Sequence, residues 1–267
     1  MTLTTLHIPE YSVGKEIART ERAIVFKGTE NGTGKPVALK LMNDDWPGQH
    51  EIKMLKHMNS HSRSGPVHVL RLLDTYEDHP NLWLVLEYFD ATIDELLPQE
   101  VSPLTLMTIA ADSAKGLVEM DRVDIVDDDV KPTNIAFKAG SGRVAHLDLG
   151  CARFRGEKVI GSTDGFVAPE VRKGVPSDSS PCYGWARTMQ FLVTGQTDLA
   201  PTTLLSDWLP WVGRDFAKLI VQCCHHNPRR RPSVEDLYNR IKGIVNERKR
   251  CRRCNAMVFR DGQCRNC

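Results

Sequence analysis

The sequence predicts an α+β fold of two lobes, a strand-rich lobe followed by a helical one, with a small cysteine-rich module at the C terminus. Segments rich in β-branched and aromatic residues alternate with turn residues in the first third of the chain. From about residue 92 onward, apolar residues recur at helical spacing instead. Four of the eight cysteines fall in the last 17 residues. These observations divide the chain into 1–88, 89–247 and 248–267.

Composition and charge exclude several classes of protein. The 267 residues are 41% hydrophobic and 26% charged, which is typical of a globular chain and excludes a disordered or collagen-like one. Lys and Arg number 35 against 34 Asp and Glu, so no net field draws the whole chain to nucleic acid or to a membrane. No apolar run approaches the roughly 20 residues that span a bilayer, and the first residues lack the pattern of a signal peptide. We therefore expect a cytoplasmic protein without a membrane segment.

The first lobe is predicted to contain a sheet and one helix. The N-G-T-G sequence at 31–34 is typical of a hairpin turn between two strands. A helix is predicted at 49–58, because Ile52, Leu55 and Met58 fall on one helical face. The strands are predicted at 24–26, 37–39 and 82–86.

The second lobe is predicted to be helical. Its apolar residues recur at intervals of three and four, which is the spacing of a helix with one buried face. Ser233 is a predicted N-cap for the last helix, which ends in a charged linker at 247–250. The helical segments are predicted at 104–120, 189–193, 216–224 and 234–247.

The C-terminal cysteines form two C-x-x-C pairs, Cys251 with Cys254 and Cys264 with Cys267. Four thiolates at this spacing suit one tetrahedral Zn²⁺ ion, and metal binding would supply the folding energy that so short a segment lacks. The segment resembles a zinc ribbon, with a short strand at 258–259 and a turn at 261–262. A coincidental cysteine-rich tail or two disulfides are the alternatives.

The same C-terminal segment is basic. Seven lysines and arginines lie between residues 248 and 265, against the single acid Asp261. Such a cluster suits nucleic acid phosphates, but it also stabilises the net negative charge of four thiolates around Zn²⁺. Phe259 is the only aromatic residue there, which disfavours base stacking. We therefore favour a docking module for a protein partner over a nucleic acid site.

Five short motifs appear in a fixed order along residues 11–245. They are V-A-L-K ending at Lys40, D-V-K-P-T-N from Asp129, D-L-G from Asp148, A-P-E ending at Glu170, and N-P-R-R-R-P containing Arg231. In this order and at these gaps the set resembles the eukaryotic-type (Hanks-type) serine/threonine protein kinases. The resemblance implies a bilobal kinase fold with a nucleotide cleft between the lobes, and a zinc ribbon makes the chain an atypical member.

The resemblance implies an ATP site between the lobes. Lys40 would hold the α- and β-phosphates and pair with Glu51 on the following helix, although such a pair in isolation is more often a surface salt bridge. The residues at 87–89 would form the hinge that offers backbone groups to adenine. The implied ATP-binding residues are Lys40, Glu51, Val25, Ala38, Glu87 and Phe89.

The resemblance also implies the catalytic and metal-binding residues. Asp129 would orient the substrate hydroxyl, and Lys131 would offset the charge that grows on the transferred phosphoryl group. Asn134 and Asp148 would bind Mg²⁺ or Mn²⁺ through hard oxygen ligands. ATP, this divalent ion and Zn²⁺ are thus the expected cofactors. Phosphoryl transfer depends mainly on positioning and charge neutralisation, which these residue types supply.

The substrate is expected to be a protein serine or threonine. Lys131 in the D-x-K motif and Thr163, five residues before Ala168, match the serine/threonine type of the family. Glu170 and Arg231 would form a bidentate pair in the helical lobe. Phosphotransferases for small molecules are not expected to carry that pair, which makes them the weaker hypothesis.

Two departures from the family pattern affect the expected activity. The glycine-rich phosphate loop is replaced by A-R-T-E-R-A at 18–23, which predicts weak ATP affinity, with Arg19 or Arg22 substituting for lost amide contacts. The catalytic loop opens with Asp127 and Asp128 where the family has His-Arg. Without that arginine, activity should not require a phosphorylated activation loop.

The adjacent acids have two interpretations. Asp127 and Asp128 belong to a rebuilt junction, since Pro181 also replaces the aspartate that normally grips this loop and Asp178 lies three residues early. Alternatively, they are solvated loop acids without a role. In either case the run of three carboxylates ending at Asp129 should raise at least one pKa, unless a metal or Lys131 relieves the repulsion.

A pseudokinase scaffold is the alternative function. Such a protein would bind nucleotide weakly or not at all and recruit partners through the ribbon. The phosphate loop at 18–23 favours this hypothesis. The retained polar residues oppose it, because a scaffold does not need them all. They are Lys40, Glu51, Asp129, Lys131, Asn134 and Asp148.

Overall fold

The first lobe contains a five-stranded antiparallel sheet of order β1-β2-β3-β5-β4. The computed structural model describes residues 8–42, 45–61, 65–78, 81–96, 101–197, 213–247, 249–250 and 257–258. The strands are β1 (Tyr11–Arg19), β2 (Ala23–Glu30), β3 (Pro36–Met42), β4 (Leu72–Asp78) and β5 (Asn81–Glu87), and α1 (Asp45–Ser60) follows β3. All three predicted strands are confirmed, whereas the largely exposed β1 and the edge strand β4 carry too little apolar pattern to be predicted.

The predicted hairpin joins β2 and β3. Thr29 pairs with Pro36, and Gly34 adopts φ +71°, a left-handed conformation that suits glycine. The Gly34 amide donates to the carbonyl of Glu30 (2.8 Å), which closes the turn. This register fixes which residues of β3 face each side of the sheet.

The sheet has two differently covered faces. Because side chains alternate along a strand and cross-strand partners share a face, Val25, Ala38 and Lys40 lie on one side, together with Leu84 and Leu86. Helix α1 packs against β3, β4 and β5 and buries Met54, Leu55 and Met58 in the main core. The opposite face carries a second apolar cluster. It consists of Ile8, Phe26, Val37, Leu39, Leu41, Trp83 and Val85.

Helices dominate the second lobe, as predicted. They are α2 (Pro103–Asp121), α3 (Pro169–Arg172), α4 (Ser180–Thr194), α5 (Arg214–Cys223) and α6 (Val234–Asn246). Ser233 accepts a hydrogen bond from the Asp236 amide (3.1 Å), which confirms the predicted N-cap. Helix α4 starts nine residues before the predicted segment at 189, because its first turns mix Pro, Tyr, Gly and Arg and hide the helical period.

Two small sheets connect these helices to the cleft. One has the order β6-β8-β9, formed by Ala91–Thr92, Ile135–Phe137 and Val144–His146. The other pairs β7 (Ile125–Asp127) with β10 (Ala152–Phe154) in antiparallel register. The β8–β9 and β7–β10 ladders are each three residues long and carry the loops of the candidate site at their ends.

The C-terminal module is described only in part. Lys249–Arg250 (β11) pairs antiparallel with Met257–Val258 (β12), and β12 lies beside α2. The strand was predicted at 258–259, so its start lies one residue earlier. The four cysteines at 251, 254, 264 and 267, like Phe259 and the turn at 261–262, lie outside the described residues.

Among the described helices, none combines the length and the apolar character that crossing a bilayer requires.

Candidate active site

Lys40 stands at the centre of the cleft between the lobes. Its Nζ lies 2.6 Å from Glu51 Oε2 and 3.2 Å from Asp148 Oδ2. Strand β3 directs Lys40 toward α1, which carries Glu51, while Asp148 follows β9 in the second lobe. The pair with Glu51 is buried rather than exposed, so the surface salt bridge considered for it in isolation is excluded.

These three groups shift one another's pKa values. Burial opposes the charge on Lys40, but Asp148 and Glu51 outweigh it and hold its pKa above the usual value. Burial raises the pKa of Glu51 to about 7, against the lowering effect of Lys40. The pKa of Asp148 stays below its usual value because Lys40 and the Gly150 amide outweigh burial. The site therefore favours a charged lysine and an ionised Asp148.

Asp129 lies two residues after β7 and is held by several hydrogen bonds. The Nδ2 of Asn134 donates to the Asp129 carbonyl (3.1 Å) and to its Oδ2 (3.3 Å). A single 3₁₀ turn (Pro132–Asn134) sets this contact. Lys131 Nζ donates to Asp129 Oδ2 (2.7 Å) and to Thr163 Oγ1 (2.6 Å). Burial raises the pKa of Asp129, and Lys131 and Thr163 limit that rise.

The two expected metal ligands are brought together by the β8–β9 hairpin. Ile135 pairs with His146, and the Leu147 amide donates to the Asn134 carbonyl (2.9 Å), so Asn134 and Asp148 flank the same end of the hairpin. Asp148 is partly exposed and turned toward the cleft by the Gly150 amide, which donates to its Oδ1 (2.7 Å). An amide oxygen and a carboxylate are ligands that Mg²⁺ prefers, so the residues present fit this ion.

The apolar part of the cleft lies beside Lys40 on the same sheet face. Val25 pairs with Lys40 and Ala38 pairs with Leu86, and both Val25 and Ala38 are only partly buried. Partly exposed small side chains on this face leave room for a flat ring. Ala136, buried in β8, lies in the second lobe.

The Glu87 side chain of the predicted hinge lies on the opposite face of the sheet. Glu87 pairs with Val37, which belongs to the opposite face of the sheet, and its amide donates to the Arg71 carbonyl (3.1 Å). Its carboxylate accepts hydrogen bonds from Arg71 (3.4 Å), Lys138 (3.1 Å) and Arg143 (2.6 Å). Phe89 is buried with Arg143 4.8 Å from its ring centre. Only the backbone of Glu87 could therefore contact adenine. The sequence did not predict the cluster of Arg71, Lys138 and Arg143 around its carboxylate.

The segment at 18–23 forms a tight turn between β1 and β2. The Thr20 amide donates to the Ala23 carbonyl (2.8 Å), and Thr20 Oγ1 accepts from the amides of Arg22 (3.2 Å) and Ala23 (3.1 Å). The Arg19 guanidinium is paired with Glu16 (2.8 Å) on the exposed side of β1. Arg22 is exposed at the tip and is the better placed of the two arginines to meet a phosphate.

Asp127 and Asp128 are buried, so their interpretation as solvated loop acids is wrong. Asp127 Oδ1 accepts from the Asp129 amide (2.9 Å), and its Oδ2 lies 3.7 Å from His146 Nδ1. Asp128 Oδ2 accepts from Arg153 Nε (2.6 Å). Burial raises the pKa of Asp128 to about 6, and repulsion by Asp127 adds less to this rise. Arg153 acts in the opposite direction and lowers the pKa.

The catalytic loop meets α4 through close backbone packing, which supports the interpretation of a rebuilt junction. Gly184 of α4 approaches the Val130 carbonyl so closely that an added Cβ would lie 2.9 Å from it. The displaced Asp178 does not contact the loop but pairs with Arg155. Close backbone packing at Gly184 therefore supports the catalytic loop where a side-chain carboxylate was expected.

A buried ion pair fastens the segment that ends in A-P-E. Arg231 Nη2 donates to Glu170 Oε2 (2.8 Å), and its Nη1 donates to Oε1. The Arg231 side chain is fully buried, and its Nε donates to the His225 carbonyl (2.8 Å). The pair holds the pKa of Glu170 below its usual value, against the effect of burial.

Comparison with known proteins gives one family. Residues 11–240 match the family model described as Protein kinase domain. The serine/threonine-protein kinase KIN28 of Saccharomyces cerevisiae is 26% identical over 159 residues, which is 54% of this chain and 48% of that protein. PknL of Mycobacterium tuberculosis is 26% identical over 208 residues (73% and 52%), and PkaA of Streptomyces coelicolor is 26% identical over 256 residues (86% and 46%). The chain spans about half the length of these relatives.

Proposed function

The chain belongs to the protein kinase domain family, and from that premise we propose that it transfers the γ-phosphoryl group of ATP to serine or threonine hydroxyls of protein substrates. The kinase names of its relatives support this activity. The observation that carries the proposal is the contact of Lys131 with both Asp129 and Thr163. It joins a carboxylate and an ammonium group at the one place where a substrate hydroxyl and a transferred phosphoryl must meet.

The proposed roles follow from the geometry. Asp129 orients the attacking hydroxyl and accepts its proton, and Asn134 fixes Asp129 through one hydrogen bond to its backbone carbonyl and one to its carboxylate. Lys131 offsets the negative charge that grows on the transferred group. Lys40 holds the phosphates while Glu51 fixes the lysine. Asn134 and Asp148 would hold Mg²⁺, or Mn²⁺ in its place, which neutralises phosphate charge when bound.

Preference for serine and threonine is proposed from the Lys131–Thr163 bond. The bond holds the activation segment, residues 148–170, close to Asp129, and we propose that this closeness favours an acceptor hydroxyl on a short side chain. Protein substrates are favoured over small molecules because Glu170 and Arg231 fasten this segment as the resemblance implied. The domain boundaries that we propose remain 1–88, 89–247 and 248–267.

We propose that activity does not require phosphorylation of the activation segment. The position that would bind the phosphate carries a buried acid, Asp128, whose partner Arg153 is already paired. A phosphate placed there would meet a like charge. Treatment with a phosphatase is expected to leave the activity unchanged, and its loss would contradict this part of the proposal.

ATP binding is proposed to be weak. The turn at 20–23 uses its own amides and the Thr20 hydroxyl to close the hairpin, so those amides are not available to phosphates. Arg22 is the side chain that we propose as a substitute contact. An ATP affinity in the low micromolar range that Arg22→Ala does not change would contradict this part of the proposal.

A pseudokinase scaffold is the second candidate. The closed turn at 20–23 favours it. The buried position of Glu51 opposes it, because a carboxylate held away from water is costly unless a function keeps it there. For the C-terminal module we propose a zinc ribbon that docks a protein partner, supported by the pairing of β11 with β12. One zinc per chain by metal analysis, lost in Cys254→Ser, is expected.

Incubation with γ-labelled ATP and Mg²⁺ or Mn²⁺ separates kinase from scaffold. The wild type is expected to label a mixed serine- and threonine-containing protein substrate, and Asp148→Ala is expected to label it at least about 100-fold more slowly. Asp74→Ala, an exposed acid of β4, is the matched control. Equal rates for wild type and Asp148→Ala, or no labelling by either, would favour the scaffold.

A further inference from the structure

Asp128 and Arg153 form an ion pair that takes no part in the proposed contacts with ATP, metal or substrate. Asp128 Oδ2 and Arg153 Nε are 2.6 Å apart. The Asp128 side chain is fully buried and Arg153 is 2% exposed. The sequence indicated only that Asp128 stands where the family has an arginine, and it did not indicate a role for Arg153.

The pair joins the segment that carries Asp129 to the segment that carries Asp148. Asp128 directly precedes Asp129, and Arg153 lies in β10, five residues after Asp148. The strands β7 and β10 pair through Ala152 with Asp127, so the ion pair continues a ladder that is only three residues long. A ladder this short gives little rigidity alone, and the side-chain contact extends it to the edge of the catalytic loop.

The pair is not explained by stability. In the described part of the chain, Asp128 Oδ1 and Arg153 Nη2 are buried without a hydrogen-bond partner. Burial raises the pKa of Asp128 although Arg153 opposes the rise, which means that the ionised form is disfavoured inside the protein. Replacing such a pair by apolar residues of similar shape is often neutral or stabilising. A role other than folding is therefore indicated.

We propose that Asp128 and Arg153 are positioning residues, whose ion pair holds the Asp129 loop against the segment that bears Asp148 and so keeps both carboxylates aligned. The proposal rests on the proposed kinase function. A phosphate group can order a segment by pairing with an arginine. Here the carboxylate of Asp128 would have the same effect by pairing with Arg153. The alignment requires no phosphorylation, since both partners are part of the folded chain.

The test is a double variant, Asp128→Leu with Arg153→Met. Leucine matches the heavy atoms of aspartate and methionine follows the stem of arginine, so no buried charge is left alone. We expect a folded protein whose kcat falls at least about tenfold while the KM for ATP stays within about twofold. Arg155→Met is the control, because Arg155 lies in the same segment but pairs with exposed or half-exposed acids. It is expected to keep the wild-type kcat.

A wild-type kcat in the folded double variant would overturn the proposal. Should that variant not fold, Arg153→Lys and Arg153→Met are compared. We expect Arg153→Lys to retain more kcat per folded molecule, and equal values would overturn the proposal. Amide hydrogen exchange at 148–154 gives a readout apart from activity: faster exchange is expected in Arg153→Met than in Arg155→Met. If the wild type transfers no phosphate, the proposed kinase function is wrong. The difference in amide exchange between Arg153→Met and Arg155→Met still decides whether the ion pair holds the segment at 148–154.

Discussion

Lys40 Nζ lies 3.2 Å from Asp148 Oδ2, across the boundary between the sheet and the helical lobe. Glu51 holds the same ammonium at 2.6 Å from the opposite side. The lysine is thus balanced between two carboxylates, one buried and one facing the cleft. A triphosphate with its divalent ion would compete with Asp148 for this lysine while Glu51 keeps it in place.

Lys40→Met is expected to abolish most of the activity. It removes the phosphate contact and leaves Glu51 buried without its cation, so kcat/KM should fall on the order of 100-fold or more. Steady-state kinetics at varied ATP concentration measures the effect. Lys35→Met is the control, because Lys35 is exposed just before β3. A variant at Lys40 with wild-type kcat/KM would contradict the role of this lysine.

Thr163→Val should reduce kcat because Lys131 loses one of its two acceptors while the side chain keeps its shape. A decrease of roughly tenfold is expected, in line with the loss of a hydrogen bond to a charged group. Thr163→Ser, which keeps the hydroxyl, should restore most of the rate. Equal rates for the valine and serine variants would show that this hydroxyl does not position Lys131.

Arg231→Met should destabilise the helical lobe. It leaves Glu170 without the bidentate partner that holds it in a largely buried site, which costs about 3–5 kcal/mol for a broken buried pair. The melting temperature should fall by roughly 10 °C, measured by differential scanning calorimetry. Arg172→Met breaks the exposed pair with Asp164 and should cost less than about 1 kcal/mol. Similar losses in the two variants would contradict the assignment.

The pKa of Asp128 predicts a pH dependence of stability. Burial raises it to about 6, with Asp127 and Glu170 adding to the rise and Arg153 opposing it. Between about pH 4 and pH 6 the unfolded chain loses this proton while the folded chain keeps it, so the free energy of unfolding falls as pH rises. Relative to Asp128→Asn, the wild type should lose roughly 3 kcal/mol over this range in urea titrations. A difference that is constant or grows with pH would contradict the raised pKa.

Much of the fold could be predicted because its signals are local. The hairpin at 31–34, the helix α2 and the Ser233 cap each depend on residues close in sequence. The start of α4 could not be predicted, since tertiary packing rather than periodicity makes 180–188 helical.

The spacing of the motifs could predict which polar residues belong together, but not how the catalytic loop is supported. Arg153 and His146 meet Asp128 and Asp127 through strand pairings between distant segments. One signal was available. Arg153 is a lone charge between Ala152 and Phe154 in a short apolar strand, which is typical of a charge with a buried partner.

The most direct test is single-turnover transfer of the γ-phosphoryl group by Asp129→Asn, with ATP binding measured on the same sample. The variant keeps the side-chain shape and the acceptor for Lys131, but it cannot take up the hydroxyl proton. We predict ATP affinity within about twofold of wild type and a transfer rate lower by a factor of about 10² to 10⁴. Transfer at the wild-type rate would contradict the account.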